Sequence, residues 1–191
     1  DRNGRGLVLP FTAAQNAILG DHHRPPYSGP AGLLDEAAIR EHAERIILSS
    51  PVLSPAKYRD LMAVDPSRYA IGQYSLQYDP TQKNLEQALE ELVAAVSAGV
   101  RSGQVLIVLS DLGFSEGVLP IHALLATGAV HHNLTRSGLR CDANIIVETA
   151  TARDPHHVAA LLSYGATAVY PYLSYYIINH LVEAGDLLVD I

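Results

Sequence analysis

Residues 141–172 read CDANIIVETATARDPHHVAALLSYGATAVYPY, and this stretch decides the fold. Ala143–Glu148 (ANIIVE) is a short apolar run rich in β-branched residues. A run of this kind reads as a strand buried on both faces. Thr149–Arg153 follows as a small polar loop. Asp154 is placed to cap a helix, because its carboxylate can accept the unpaired backbone N–H groups of the next turn. Pro155 then sits at the first helical position, where a missing N–H costs nothing. His156–Tyr164 is the helix, with Val158, Leu161 and Leu162 along one face. Gly165 suits the left-handed residue just past the helix end. Ala168–Tyr170 (AVY) is the next strand. Strand, helix and strand make a βαβ unit, whose crossover is right-handed and whose strands are parallel.

The same pattern extends toward the amino terminus. Ala70–Tyr78 (AIGQYSLQY) alternates, with Gly72, Tyr74, Leu76 and Tyr78 expected to face the core. Asn84–Gly99 is the clearest helix. Leu85, Leu89, Leu92, Val93 and Val96 form its apolar stripe, and Glu86, Glu90 and Glu91 lie largely off it. Val105–Leu109 (VLIVL) reads as a buried strand, followed by a loop at Ser110–Gly117. Pro120–Leu134 is predicted helical with Leu124, Leu125 and Ala129 inward, and Leu173–Ala184 forms a last helix. Upstream, Ser54 is a natural cap for a short helix over Pro55–Ala63. Leu33–Leu48 reads as a helix, His22–Pro30 as a loop, and Leu7–Gly20 as one short strand or helix.

These elements make three or four βα units in series. They give one α/β domain over residues 49–191, with residues 1–48 as a lead-in segment. About four strands are too few for a closed eight-stranded barrel, which takes ~200 or more residues. The expected fold is therefore a mostly parallel sheet, either open or a partial, TIM-barrel-like barrel.

Composition narrows the function. The 191 residues are 48% hydrophobic and 17% charged, as in an ordinary globular chain. Thirteen Lys+Arg against 20 Asp+Glu give a net charge of −7. With no basic tract, binding to nucleic acid by phosphate neutralisation is not expected. No apolar run reaches the ~18 residues of a membrane span. Asp1–Gly6 is polar with no long apolar core behind it, so no signal peptide is read there. The first residue is Asp rather than Met, which suggests a processed or excised piece. The single cysteine, Cys141, fits a reducing compartment.

Candidate chemistry gathers at the strand ends. In α/β sheets, ligands bind outside the carboxyl ends of the strands. Ser110 and Asp111 follow one strand, Glu148 and Thr149 another, and Tyr172 a third. With Arg153 and His156 in the loop and helix beyond, these residues could face one site. The plainer alternative is that they cap helices and order loops. Nine histidines include the adjacent pairs His22-His23, His131-His132 and His156-His157. Neighbours on a helix point about 100° apart, so no one pair chelates a metal as an i,i+4 pair does. There is no phosphate-binding GxGxxG or GxxxxGK[ST], and no GxSxG elbow. Cys141 beside Arg140 reads as a packing thiol.

Four segments nevertheless carry a recognisable pattern: SPVLS (Ser50–Ser54), LIVLSD (Leu106–Asp111), LPIHALLATGAVHHNL (Leu119–Leu134), and above all LRCDANIIVETATARDPHH…GATAVYPYLSY (Leu139–Tyr175). Over about residues 49–185 the chain resembles the central domain of the large subunit of glutamate synthase. The family often has Arg after LSD, where this chain has Leu112. The resemblance implies a non-catalytic piece of a larger enzyme that moves the amide nitrogen of glutamine to 2-oxoglutarate. It implies flanking partners on the same polypeptide: an amidotransferase domain that releases ammonia, and an FMN-binding domain with an iron–sulfur cluster. The central domain, a degraded barrel, would link them and help form the ammonia tunnel, holding no cofactor itself. Ser110, Asp111, Glu148, Thr149, Arg153, His156 and Tyr172 would be its loop or tunnel-facing residues. A cytoplasmic location follows, or a plastid one in a plant or alga. Two other readings are a free-standing small α/β enzyme with a site at the strand carboxyl ends, and a pure interaction module.

Overall fold

A computed structural model describes residues 50–113 and 115–187. The elements expected over Leu7–Gly20, His22–Pro30 and Leu33–Leu48 lie outside the described residues.

The chain first runs past Val52 into helix α1 (Pro55–Met62), whose cap is Ser54, accepting the Lys57 N–H at 3.3 Å. Strand β1 (Ile71–Ser75) and the two-residue β2 (Gln77–Tyr78) follow. Helix α2 (Leu85–Arg101) opens on a capping box, in which Asn84 and Gln87 each accept the other's backbone N–H. Then come β3 (Leu106–Ser110), β4 (Leu119–Pro120), α3 (Ala123–Arg136), a 3₁₀ turn at Arg140–Asp142, β5 (Asn144–Glu148), α4 (Pro155–Ser163), β6 (Ala168–Tyr170) and α5 (Tyr172–Glu183). The decisive βαβ unit forms as expected. Asp154 caps α4 through the His157 N–H at 2.9 Å. The helix closes with Gly165 at φ +110°, the Gly165 N–H on the Leu162 carbonyl, and the Ala166 N–H on the Leu161 carbonyl.

Four strands form one parallel sheet in the order β1-β3-β5-β6. A fifth, single-residue step joins its edge: Val52 bridges Val169, with the Leu53 N–H on the Val169 carbonyl and the Val169 N–H on the Pro51 carbonyl. Spatial order thus follows chain order from β1 to β6. Ile107, Leu109, Ile145, Val147 and Val169 point to one face and share a single apolar core with Leu92 and Val96 of α2, Val130 and Leu134 of α3, and Leu161 of α4. Sequential strands with their crossover helices all on one face are wound like a sector of a β/α barrel, not like a doubly wound sheet. Among the described residues the sheet is open and no barrel closes. The opposite face buries Leu106, Val108, Ile146 and Ala168, and there Tyr58 of α1 stacks on Tyr170 with ring centroids 4.3 Å apart.

Five details differ from expectation. The Ala70–Tyr78 strand breaks at Leu76, whose N–H bonds the Ser110 carbonyl and whose carbonyl accepts the Ile121 N–H. Beyond that buried pivot, β2 leaves the sheet and pairs antiparallel with β4. Leu119 and Pro120 form that strand, so Pro120 is strand rather than helix, and α3 begins three residues late, at Ala123. Within α3 the buried stripe is Ala123, Ala126, Thr127, Val130 and Leu134, while Leu125 is exposed. Small residues let α3 lie close to its neighbours, and that turned the stripe away from the larger leucine. Leu85, at the first turn of α2, is also exposed. Cys141 is exposed in the 3₁₀ turn rather than packed.

Candidate functional site

The carboxyl ends of the parallel strands gather the polar side chains. Register places Ser110 opposite Glu148, and Glu148 opposite Tyr170, in one row on the α1 face. Asp111 and Thr149 come one residue later. Asp111 is 3% exposed and Glu148 6%, so both carboxyl groups are inside the protein. Each is met by neutral donors. Ser110 Oγ donates to Glu148 Oε2 at 2.5 Å. Thr149 Oγ1 donates to Asp111 Oδ2 at 2.5 Å, and the Ala150 N–H reaches Asp111 Oδ1 at 3.0 Å. Because the Thr149 proton goes to Asp111, the 2.8 Å contact between Thr149 and Thr151 has Thr151 as donor. The Thr151 N–H adds a bond to Thr149 Oγ1 at 3.0 Å, so the loop folds around one hydroxyl. Among the described residues no Lys, Arg or His pairs with either carboxylate within ion-pair distance.

Tyrosines complete the cluster. The Tyr172 hydroxyl, at the start of α5, reaches Asp111. Burial first, then the Asp111 charge and hydrogen bond, hold that hydroxyl neutral well above the usual tyrosine range. Tyr58 is raised in the same way, by burial and then by the Glu148 charge. Its hydroxyl is the one fully buried side-chain polar atom among the described residues that lacks a hydrogen bond of good geometry, although Glu148 and Gln73 stand beside it. Tyr170 is raised by burial and by Glu148, with Arg59 opposing. Beside this row lies an open cleft of about 580 Å³, lined by Glu148 together with Tyr170, Tyr172, Tyr175 and Tyr176.

The structure thus brings together five of the seven residues singled out from sequence: Ser110, Asp111, Glu148, Thr149 and Tyr172. Arg153 and His156 stand apart. Arg153 is exposed, its N–H bonds His157 Nδ1 at 3.3 Å, and it lines a separate hollow between α4 and α5. His156 is exposed on the first turn of α4. Sequence reasoning missed Tyr58, Tyr170 and Thr151. Tyr170 was legible as the last residue of a strand whose row already held Glu148. Nothing local to α1 marks Tyr58, which arrives through the Val52–Val169 bridge. No group of three or more His, Cys, Asp or Glu among the described residues could hold a metal ion. No helix among them is long and apolar enough to cross a membrane.

Comparison with known proteins agrees with this architecture. The family model of the glutamate synthase central domain matches residues 28–190, which takes in residues 28–48 ahead of the motif-bearing run. The chain is 34% identical over 146 residues to the glutamate synthase [NADPH] large chain of Bacillus subtilis, covering 76% of this chain and 9% of that protein. It is 40% identical over 139 residues to ferredoxin-dependent glutamate synthase 2 of Synechocystis, covering 70% and 9%. The NADH-type glutamate synthase of Saccharomyces cerevisiae is 27% identical over 152 residues, covering 78% and 7%. The chain thus spans under a tenth of the length of the relatives it matches. It belongs to the glutamate synthase central domain family.

Proposed function

We propose that this chain is the non-catalytic central domain of a glutamate synthase, joining an amidotransferase domain to an FMN-binding synthase domain and helping to wall the passage for ammonia between them. In this reading residues 49–191 are the domain proper and residues 1–48 its lead-in. The parent reaction converts glutamine, 2-oxoglutarate and reductant into two glutamates, in the cytoplasm or a plastid. One observation carries the passage role. The carboxyl edge is closed by protein on one side, through Asp111, Thr149 and Ala150, and opens on the other into a cleft lined mainly by tyrosines and leucines. A conduit for a small polar molecule needs such a wall: dry enough to hold back bulk water, with a few fixed hydrogen-bonding groups.

The residues do not suit the parent's cofactors. An iron–sulfur cluster needs about four thiolates, and this chain has one cysteine, Cys141. A flavin phosphate would face two carboxylates at the carboxyl edge with no paired cation among the described residues, an unfavourable electrostatic match. FMN and the cluster belong, in this reading, to the flanking domain. The reading as a free-standing enzyme has less support, since Arg153 and His156 do not join the carboxylates.

The test is made in the full-length parent polypeptide. Leu112, exposed at the cleft, is changed to Trp, with Leu125→Trp on α3 as a surface control. Glutamine hydrolysis should continue in Leu112→Trp while glutamate formed per glutamine consumed falls several-fold and free ammonia appears. Leu125→Trp should stay coupled. Unchanged stoichiometry after bulky substitutions throughout the Ser110–Gly117 and Thr149–Arg153 loops would remove the passage role.

A further inference from the structure

We propose that the carboxyl-edge cleft is a binding site for a small ammonium-type cation, held against Glu148. The argument begins with charge. A carboxylate is almost never this buried unless something pays for its lost hydration, and neutral donors do so only in part. Asp111 has its donors: the Thr149 hydroxyl, the Ala150 N–H and the nearby Tyr172 hydroxyl. Glu148 has one hydrogen bond of good geometry, from Ser110 to Oε2. Among the described residues no other hydrogen bond of good geometry reaches its carboxylate, and Glu148 lines the cleft. Among the described residues Arg59 acts on Tyr170, and no cation forms an ion pair with Glu148. The Tyr58 hydroxyl, buried beside Glu148 behind the cleft, brings no positive charge to it.

The walls fit the same ligand. Tyr170, Tyr172, Tyr175 and Tyr176 present rings and hydroxyl oxygens, and Asn179 adds an amide. Tyr170 is tilted 52° to Tyr172 with centroids 6.5 Å apart, and lies 6.3 Å from Tyr175. An ammonium group carries four donors when free and three on a carbon stem. It can give one to the carboxylate and others to the hydroxyls, with its remaining charge against ring faces. A metal cation would want several hard oxygens at fixed distance, and the cleft offers one carboxylate. Two sources share this chemistry: a free ammonium ion, or the end of a lysine side chain from a neighbouring segment. The inference does not rest on the ammonia passage, because binding is read without turnover.

Thermal melting of the 191-residue chain in ammonium, methylammonium, n-butylammonium, potassium and sodium chlorides at one ionic strength tests it. The expected result is a saturable rise in melting temperature with the ammonium salts and little with sodium or potassium. A rise with free ammonium assigns the site to the ion, and a rise confined to n-butylammonium assigns it to a docked lysine. Glu148→Gln keeps an acceptor for Ser110 and removes the charge. It should weaken the response at least tenfold in concentration while leaving the melt in sodium chloride unchanged or higher. Tyr176→Ala, at the exposed rim, should weaken it less and cannot be dismissed as a folding failure. Equal rises with all five salts, or an undiminished ammonium response in Glu148→Gln, would overturn the proposal.

Discussion

The two ends of the sheet solve opposite electrostatic problems. At the amino ends of β5 and β6 a single cation is satisfied by neutral acceptors. Arg140 donates from Nε to His131 Nδ1 at 2.9 Å, from Nη1 to the Ala143 carbonyl at 2.7 Å, and from Nη2 to the Gly165 carbonyl at 2.8 Å. One guanidinium thereby ties α3, the start of β5 and the turn into β6. Its rigid planar fork offers donors on three separate nitrogens, a spread that the single ammonium nitrogen of a lysine does not have. At the carboxyl ends two carboxylates are met by hydroxyls and a backbone N–H group, and one of the two, Glu148, lines a cleft. The amino end is closed and complete, as a structural clamp should be. Among the described residues the carboxyl end has no cation paired with either carboxylate. In β/α architectures the amino end carries stability and the carboxyl end function.

Substitutions at the two ends should separate those roles. The largest effect is expected for Asp111→Ala, which strands the Thr149 hydroxyl and the Ala150 N–H in a site only 3% exposed. Hydrogen bonds to a charged group are worth about 1.5–3 kcal/mol each, and the orphaned donors add a cost, so a loss of roughly 3 kcal/mol is expected in urea unfolding. Arg140→Ala should cost less, about 2 kcal/mol, because Arg140 is partly open to water, which can replace it at the freed carbonyls. If Arg140→Ala proved neutral, the clamp would be an incidental surface arrangement and the contrast between the ends would fail.

The sequence makes the carboxyl end far easier to read than the amino end. Three strands each finish in a polar residue, and a parallel sheet must bring such ends together; Ser110, Asp111, Glu148, Thr149 and Tyr172 follow from that rule alone. Gly165 was legible too, since the turn after α4 needs a positive φ, found at +110°. Arg140 was not. Its partners are a helix histidine and two backbone carbonyls separated by up to 25 positions, and no pattern in sequence marks a carbonyl as an acceptor. The misread stripe of α3 has a related cause. Periodicity says which residues share a face, but Ala126 and Thr127 are inside because helices α2 and α3 pack closely, and that distance is a tertiary fact. Tyr58 was hidden for the same reason, since the edge bridge at Val52 is what carries α1 to the Glu148 face.

The smallest expected effect is also the sharpest probe of the amino end. His131 Nδ1 accepts the Arg140 Nε–H, so it must be unprotonated in the folded chain. Burial first, then the Arg140 charge, then His132, push the His131 imidazole below the ordinary histidine range. The unfolded chain, with a histidine value of about 6.5, then binds a proton that the folded chain refuses, so stability rises with pH through this window. The contribution is fully present above about 6.5 and is lost as pH falls from there toward the lowered folded value. In Arg140→Gln the charge is gone but burial remains, so the pH dependence should shrink without vanishing. Imidazole chemical shifts from pH 8 to 4.5 give both values directly. A His131 titration at or above the ordinary value, unmoved by Arg140→Gln, would mean that the ring swings away from the guanidinium in solution. The amino end would then lose its clamp.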